Sequence, residues 1–136
     1  MITKNNLIEF VLKLEPDFLP ALERERREFS GNEITIGLEF IAFSNFVSDK
    51  LELGIYKNAK KVFEGIEHLL TKGVADEEIQ TLATTCFLEN IQNLSGHGRF
   101  PETSFIPFLG PESRKFCKAL DEFWGTKTPG LHDDDK

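Results

Sequence analysis

The stretch from Ile55 to Leu94, IYKNAKKVFEGIEHLLTKGVADEEIQTLATTCFLENIQNL, constrains the fold more than any other part of the chain. In its first half Ala59, Val62, Phe63, Ile66, Leu69 and Leu70 recur at three- and four-residue spacings, so they share one helical face. Lys57, Lys60, Lys61, Glu64 and Glu67 fill the opposite face, and Gly73 follows the last apolar pair as a helix stop. In the second half Asp76, Glu77 and Glu78 stand where a helix N-terminus favours negative charge. Ile79, Leu82, Ala83, Cys86, Phe87, Ile91 and Leu94 then run down one side as far as Gly96. The second helix carries fewer charges than the first, so it is expected to be the better buried of the pair. The stretch therefore reads as two helices joined by a short turn.

The flanking sequence repeats this pattern. Leu7, Ile8, Phe10, Val11 and Leu14 form the apolar set of a helix over 4–14, capped by Thr3 and ended by Glu15-Pro16. Asp17 is placed to cap the turn that follows, with Pro20 near the start of a second helix. That helix carries Glu23-Arg24-Glu25-Arg26-Arg27-Glu28 and reads as a solvated helix held at its ends by Phe18, Leu22 and Phe29. Ser30-Gly31-Asn32 is a turn. Ile34, Ile36 and Leu38 give a brief alternating signal, but Ile36, Phe40, Phe43, Val47 and Leu51 follow helical spacing for too long to be a strand. After the hairpin, 95–101 is loop and 102–108 is a short helical turn. Gly110-Pro111-Glu112 then starts a last helix, with Phe116, Cys117, Leu120, Phe123 and Trp124 as its expected inward face.

These readings give an all-α fold: a compact single-domain bundle of about five to six helices over 1–125. The central helical hairpin is HEAT-like, but no repeat continues it. Residues 126–136, with Pro129, Gly130 and three Asp, read as a disordered acidic tail. At 136 residues the chain can bury a core without disulfides or metal. Thirteen Phe against one Tyr and one Trp imply that apolar rings fill much of it.

The net charge of −7 argues against a nucleic-acid partner and is compatible with a basic protein partner. Cys86 and Cys117 read as buried free thiols, which suits a reducing, cytoplasmic compartment. No signal peptide is visible, and no apolar run is long enough to span a membrane.

Chemical signatures are sparse. His68, His97 and His132 form no ligand-spaced pair, and a site joining His68 to Cys86 would lack two further ligands. Gly96-His97-Gly98 follows a helix rather than a strand and lacks the residues of a phosphate loop. We therefore expect no catalytic residues, no metal, no cofactor and no small-molecule substrate. Glu89, Asn90, Gln92 and Asn93 form a polar patch, read first as groups that tie neighbouring backbone. Glu64, Glu67, Asp76, Glu77 and Glu78 would give the hairpin a negative rim able to steer a basic partner.

Three pieces in order carry a resemblance. The first is His68-Leu69-Leu70 followed by Asp76-Glu77-Glu78. The second runs from Ala83-Thr84-Thr85-Cys86-Phe87 to Asn93. The third is Phe108-Leu109-Gly110-Pro111-Glu112-Ser113-Arg114, leading to Leu120-Asp121-Glu122-Phe123-Trp124-Gly125. Over about two thirds of its length the chain resembles a family of uncharacterised small bacterial all-helical proteins. That family is similar to immunity proteins of polymorphic toxin systems, including contact-dependent growth inhibition. The resemblance implies a cytoplasmic antidote that binds a cognate toxin domain, with Glu89, Asn93, Gly110 and Pro111 as fold determinants. A basic nuclease is the expected toxin, blocked at its active site. The expected contact residues are exposed acids on the hairpin and the preceding helix: Glu39, Asp49, Glu52, Glu64, Glu67, Asp76 and Glu77. A helical adaptor or regulatory module without toxin function is the alternative.

Overall fold

Residues 1–29 and 34–133 are described here from a computed structural model. The expected turn at Ser30-Gly31-Asn32 and the last residues, Asp134-Asp135-Lys136, lie outside them. The chain is all-helical. Helices α1 (Leu7–Leu14), α2 (Leu19–Glu28), α3 (Ile36–Glu52) and α4 (Ala59–Leu70) precede the second hairpin helix. That helix is a single rod in three parts: α5 (Glu77–Thr81), a π-helical segment (Leu82–Leu88) and α6 (Glu89–Gly96). Two 3-10 turns, Glu102–Ser104 and Ile106–Phe108, lead to α7 (Pro111–Trp124). Among the described residues seven α-helices thus stand where five to six were expected, because the π segment divides one rod. Among the described residues the only β feature is a single bridge between Ile2 and Ala75, which ties the N-terminus to the turn after α4.

Local chemistry sets the boundaries. Asn6, not Thr3, stands at the N-cap of α1, because 3–6 close into a turn in which the Asn6 side chain accepts from Thr3 N–H at 2.8 Å. Thr35 caps α3 by accepting from Leu38 N–H at 3.2 Å, and this cap favours a helix over the strand suggested by Ile34, Ile36 and Leu38. Asp76 caps α5 in the same way, accepting from Ile79 N–H at 3.0 Å. Gly125 ends α7 in the left-handed conformation, with φ 69°.

The core is built on phenylalanine. Ring contacts run from Phe18 to Phe43 (5.2 Å), Phe43 to Phe87 (5.6 Å), Phe87 to Phe63 (5.6 Å) and Phe63 to Phe105 (6.1 Å). One chain of rings therefore joins the turn before α2, α3, the π segment, α4 and the loop before α7. Helices α1 and α4 approach so closely that a Cβ at Gly65 would stand 2.3 Å from Leu14.

Two polar clusters fasten α7. At its N-terminus Glu67 of α4 accepts from the backbone N–H of Glu112 (3.0 Å) and Ser113 (2.8 Å), and from the Ser113 hydroxyl (2.9 Å). A cap borrowed from another helix satisfies the same orphan donors as a local one. Near its C-terminus Asp121, 1 % exposed, accepts from Thr128 N–H (2.7 Å), Thr128 Oγ1 (2.7 Å) and Gln92 Nε2 (2.8 Å). His132 Nε2 lies 2.8 Å from Oδ2, the oxygen that accepts from Thr128 N–H. These contacts, with Leu131 fully buried, hold 126–133 on the domain. The expected disordered tail is corrected for those residues: Asp121 and Leu131 supply the polar and apolar anchors that composition did not reveal.

Helix α7 also faces differently from the expectation. It buries Ser113, Cys117 and Asp121, while Phe123 is 85 % exposed and Trp124 39 % exposed. The apolar stripe misled because two of the three buried positions are polar groups held by Glu67, Gln92 and Thr128.

Removing the Glu67 cap by Glu67→Ala should lower stability by about 1–3 kcal/mol, since it leaves partly buried N–H groups unmet. Denaturant unfolding measures this, and a midpoint equal to wild type would contradict the role. Asp121 gives a pH signature. Burial alone would raise its pKa, but hydrogen bonds from Thr128, His132 and Gln92 outweigh it and hold the carboxyl below its ordinary range. A carboxyl depressed in the folded state contributes stability that is present above its unfolded pKa, about 3.9, and is lost as pH falls through the folded value. Asp121→Asn should therefore be less stable at pH 7 and lose less on acidification from about pH 5 downward. Parallel pH slopes for the two proteins would contradict this.

Candidate functional site: paired clefts flanking Trp124

The π segment positions the site. At its C-terminal end the register is widened, so that Glu89 N–H bonds to the carbonyl of Thr84, five residues back. Three threonines back-bond to carbonyls one turn before them. Thr81 Oγ1 donates to Glu77 O (3.0 Å), Thr84 Oγ1 to Gln80 O (3.2 Å) and Thr85 Oγ1 to Thr81 O (2.7 Å). The widened turn buries Phe87 and Leu88 in succession and turns Thr85, Cys86 and Glu89 outward.

Downstream, α6 is fastened on both sides by side-chain amides. Asn90 Nδ2 donates to Ser44 Oγ (2.8 Å) and Asn45 Oδ1 (3.0 Å) of α3. Gln92 Nε2 donates to Cys117 O (3.0 Å) and Asp121 Oδ1 (2.8 Å) of α7. The polar patch of α6 thus ties structure at Asn90 and Gln92. It leaves Glu89, Asn93 and His97, spaced four apart on one face, without that duty. Among the described residues the Glu89 carboxylate and the Asn93 side chain have no hydrogen-bond or ion-pair partner.

Two clefts open along this face. One, of about 360 Å³, lies between Ile41 of α3, Cys86, Glu89 and Trp124. The other, of about 440 Å³, lies between α6 and the segment after α7, with Gln92, His97, Glu102, Trp124 and Lys127 among its walls. Asn93 and Trp124 line both. Exposed Leu38, three residues before Ile41 on α3, and exposed Phe123 add apolar surface on the two flanking helices.

The acids expected to bind a partner have other surroundings. Glu39 is 5 % exposed, with its carboxylate on Arg26 Nε (2.5 Å) and Nη2 (3.2 Å), so it is the buried half of an ion pair whose arginine is partly exposed. Glu67 and Asp76 are helix caps. The structure brings Asp49 and Glu52 together, where both bind Arg99 of the loop after α6, Asp49 at 2.9 Å. Glu64 is exposed with Lys60 at 3.9 Å, and Glu77 is exposed in the first turn of α5. Glu39, Glu67 and Asp76 are therefore corrected from contact residues to fold residues. Helix patterning could not show that Arg26 of another helix would bind Glu39 or that the start of α7 would bind Glu67, whereas Asp76 caps the helix it begins.

Among the described residues no group of three or more His, Cys, Asp or Glu side chains could hold a metal ion. The two thiols differ. Burial, then the nearby Asp121 charge, pushes the Cys117 thiol up to about 12, whereas Cys86 is half-buried at the first cleft. The expectation of two buried thiols holds for Cys117 only. Native protein should react with one equivalent of an aromatic disulfide reagent, at Cys86, and with a second only on unfolding. Two fast equivalents in native buffer would contradict this placement.

A family model described as a domain of unknown function, DUF7674, matches residues 8–125, and the chain belongs to that family. No curated protein and no solved structure matches the chain. Among the described residues no helix is long and apolar enough to cross a membrane.

Proposed function

We propose that this member of the DUF7674 family is an immunity protein that binds a cognate toxin domain, and that the Trp124 face is its contact surface. The observation that carries this reading is Trp124, exposed at clefts where the Glu89 carboxylate and the Asn93 side chain have no partner among the described residues, with exposed Phe123 next to it in the chain. Large aromatic rings next to uncommitted polar groups are the usual anchors of protein interfaces. A monomer gains nothing in stability from a phenylalanine left in water.

The helical hairpin of α4 with α5–α6 serves as a HEAT-like scaffold behind that face. Glu89 and the net charge of −7 favour a basic partner, such as a nuclease, whose active site the domain would cover. Asp49, Glu52, Glu64 and Glu77 remain as exposed acids able to steer its approach. The reading assigns no catalytic residue, cofactor or metal, and places the protein in the cytoplasm with its toxin.

Co-expression with the toxin domain encoded beside the gene tests the proposal. Wild type should restore growth and form a one-to-one complex. Phe123→Ala combined with Trp124→Ala should weaken the complex about a hundredfold or more, as loss of two interface anchors does. Both side chains are exposed, so the helical circular dichroism should not change. No growth protection would overturn the immunity role. A complex without protection would favour an adaptor, and a complex indifferent to the double variant would move the surface elsewhere.

A further inference from the structure

We infer that the larger cleft, between α6 and the segment after α7, is a receptor for a guanidinium group: an arginine side chain presented by the protein partner. This deepens the partner-binding reading and rests on it for the source of the arginine.

The lining is rich in hydrogen-bond acceptors. Gln92 is 3 % exposed, and its amide nitrogen is committed to Cys117 O, Asp121 and Thr128. Among the described residues its buried Oε1 has no hydrogen-bond partner. A buried amide oxygen left unmet is costly, and a donor brought to the cleft floor would relieve it. His97 Nδ1 lies 2.8 Å from Asn93 O. A carbonyl oxygen can only accept, so Nδ1 carries a proton, and in the neutral tautomer with that proton Nε2 is a second acceptor. Glu102, half-buried in the first turn after Pro101, has no partner among the described residues and supplies the negative charge.

Trp124 forms the aromatic wall. A planar cation with five donors matches an aromatic face, a carboxylate and neutral acceptors better than a compact ammonium does. Lys127 is the one cation among the described lining residues, is exposed, and opposes the ligand.

Trp124 is the single tryptophan of the chain and lines both clefts, so its fluorescence reports binding at this face, and variants of Glu102 and Lys127, which of the two clefts line only the larger, assign the binding to it. The probe is a blocked Gly-Arg-Gly peptide, titrated at low ionic strength against the same peptide with citrulline, which keeps the shape and loses the charge. The arginine peptide should change the emission saturably and the citrulline peptide should not. Glu102→Gln should weaken binding by roughly tenfold, as loss of one charge-assisted contact does. Lys127→Ala should tighten it, a gain that a damaged fold would not give.

No saturable change, equal response to citrulline, or indifference to both variants would overturn the inference. The outcome is separable from the immunity role. Growth protection without arginine binding sinks the inference alone, and arginine binding without protection sinks the immunity role alone.

Discussion

The position of the Phe87 ring governs this molecule. It projects from the π segment into the rings of Phe40, Phe43 and Phe63, at 6.2, 5.6 and 5.6 Å. Truncating such a buried ring removes about 3–5 kcal/mol, a large part of the margin of a domain this size. Its contacts also fix the rotation of the whole α5–α6 rod against α3 and α4. Once that rotation is set, Asn90 meets α3 and Gln92 meets α7, and the strip between them, Glu89, Asn93 and His97, is left facing the clefts. Aromatic packing inside the domain thereby determines which polar groups are available outside it.

The charge distribution follows a similar logic. Several carboxylates of this acidic chain are bound within it: Glu39 by Arg26, Glu67 by the start of α7, and Asp121 by the residues after α7. Asp49 and Glu52 hold Arg99, which restrains the loop leading to the second cleft. Glu89 and Glu102 stand apart, half-buried at the clefts and unpaired among the described residues. A half-buried acid without a partner interacts more strongly with an incoming cation than a fully solvated one. This is the physical basis for placing the proposed interface beside Trp124 rather than on the outer rim of the hairpin.

The fold was largely legible in the sequence. Apolar spacing located the helix formers, Gly73 and Gly110-Pro111 marked where helices stop and start, and the length of the Ile36–Leu51 pattern decided helix over strand. The candidate site was less legible, for identifiable reasons. The π segment breaks the period on which helix reading depends, and its only trace is the Thr81, Thr84 and Thr85 cluster of hydroxyls available for back-bonding. The exposure of Phe123 and Trp124 was hidden because the buried stripe of α7 is Ser113, Cys117 and Asp121. A buried aspartate can be anticipated only when its donors are known, and Thr128 and His132 come from a segment that composition marks as tail. Glu39 and Glu67, expected as exposed contacts, share this cause, since each is bound by a group distant in sequence, whereas Asp76 caps its own helix.

The central claim is that the contact surface lies at the Trp124 clefts. Chemical-shift mapping of the isotopically labelled protein on addition of its toxin domain tests it most directly. The predicted result is that the Trp124 indole N–H and the amides of Glu89, Asn93 and His97 shift together, while Glu64 and Glu77 stay in place. Shifts confined to the outer faces of α4 and α5, with an unmoved Trp124 indole, would contradict it.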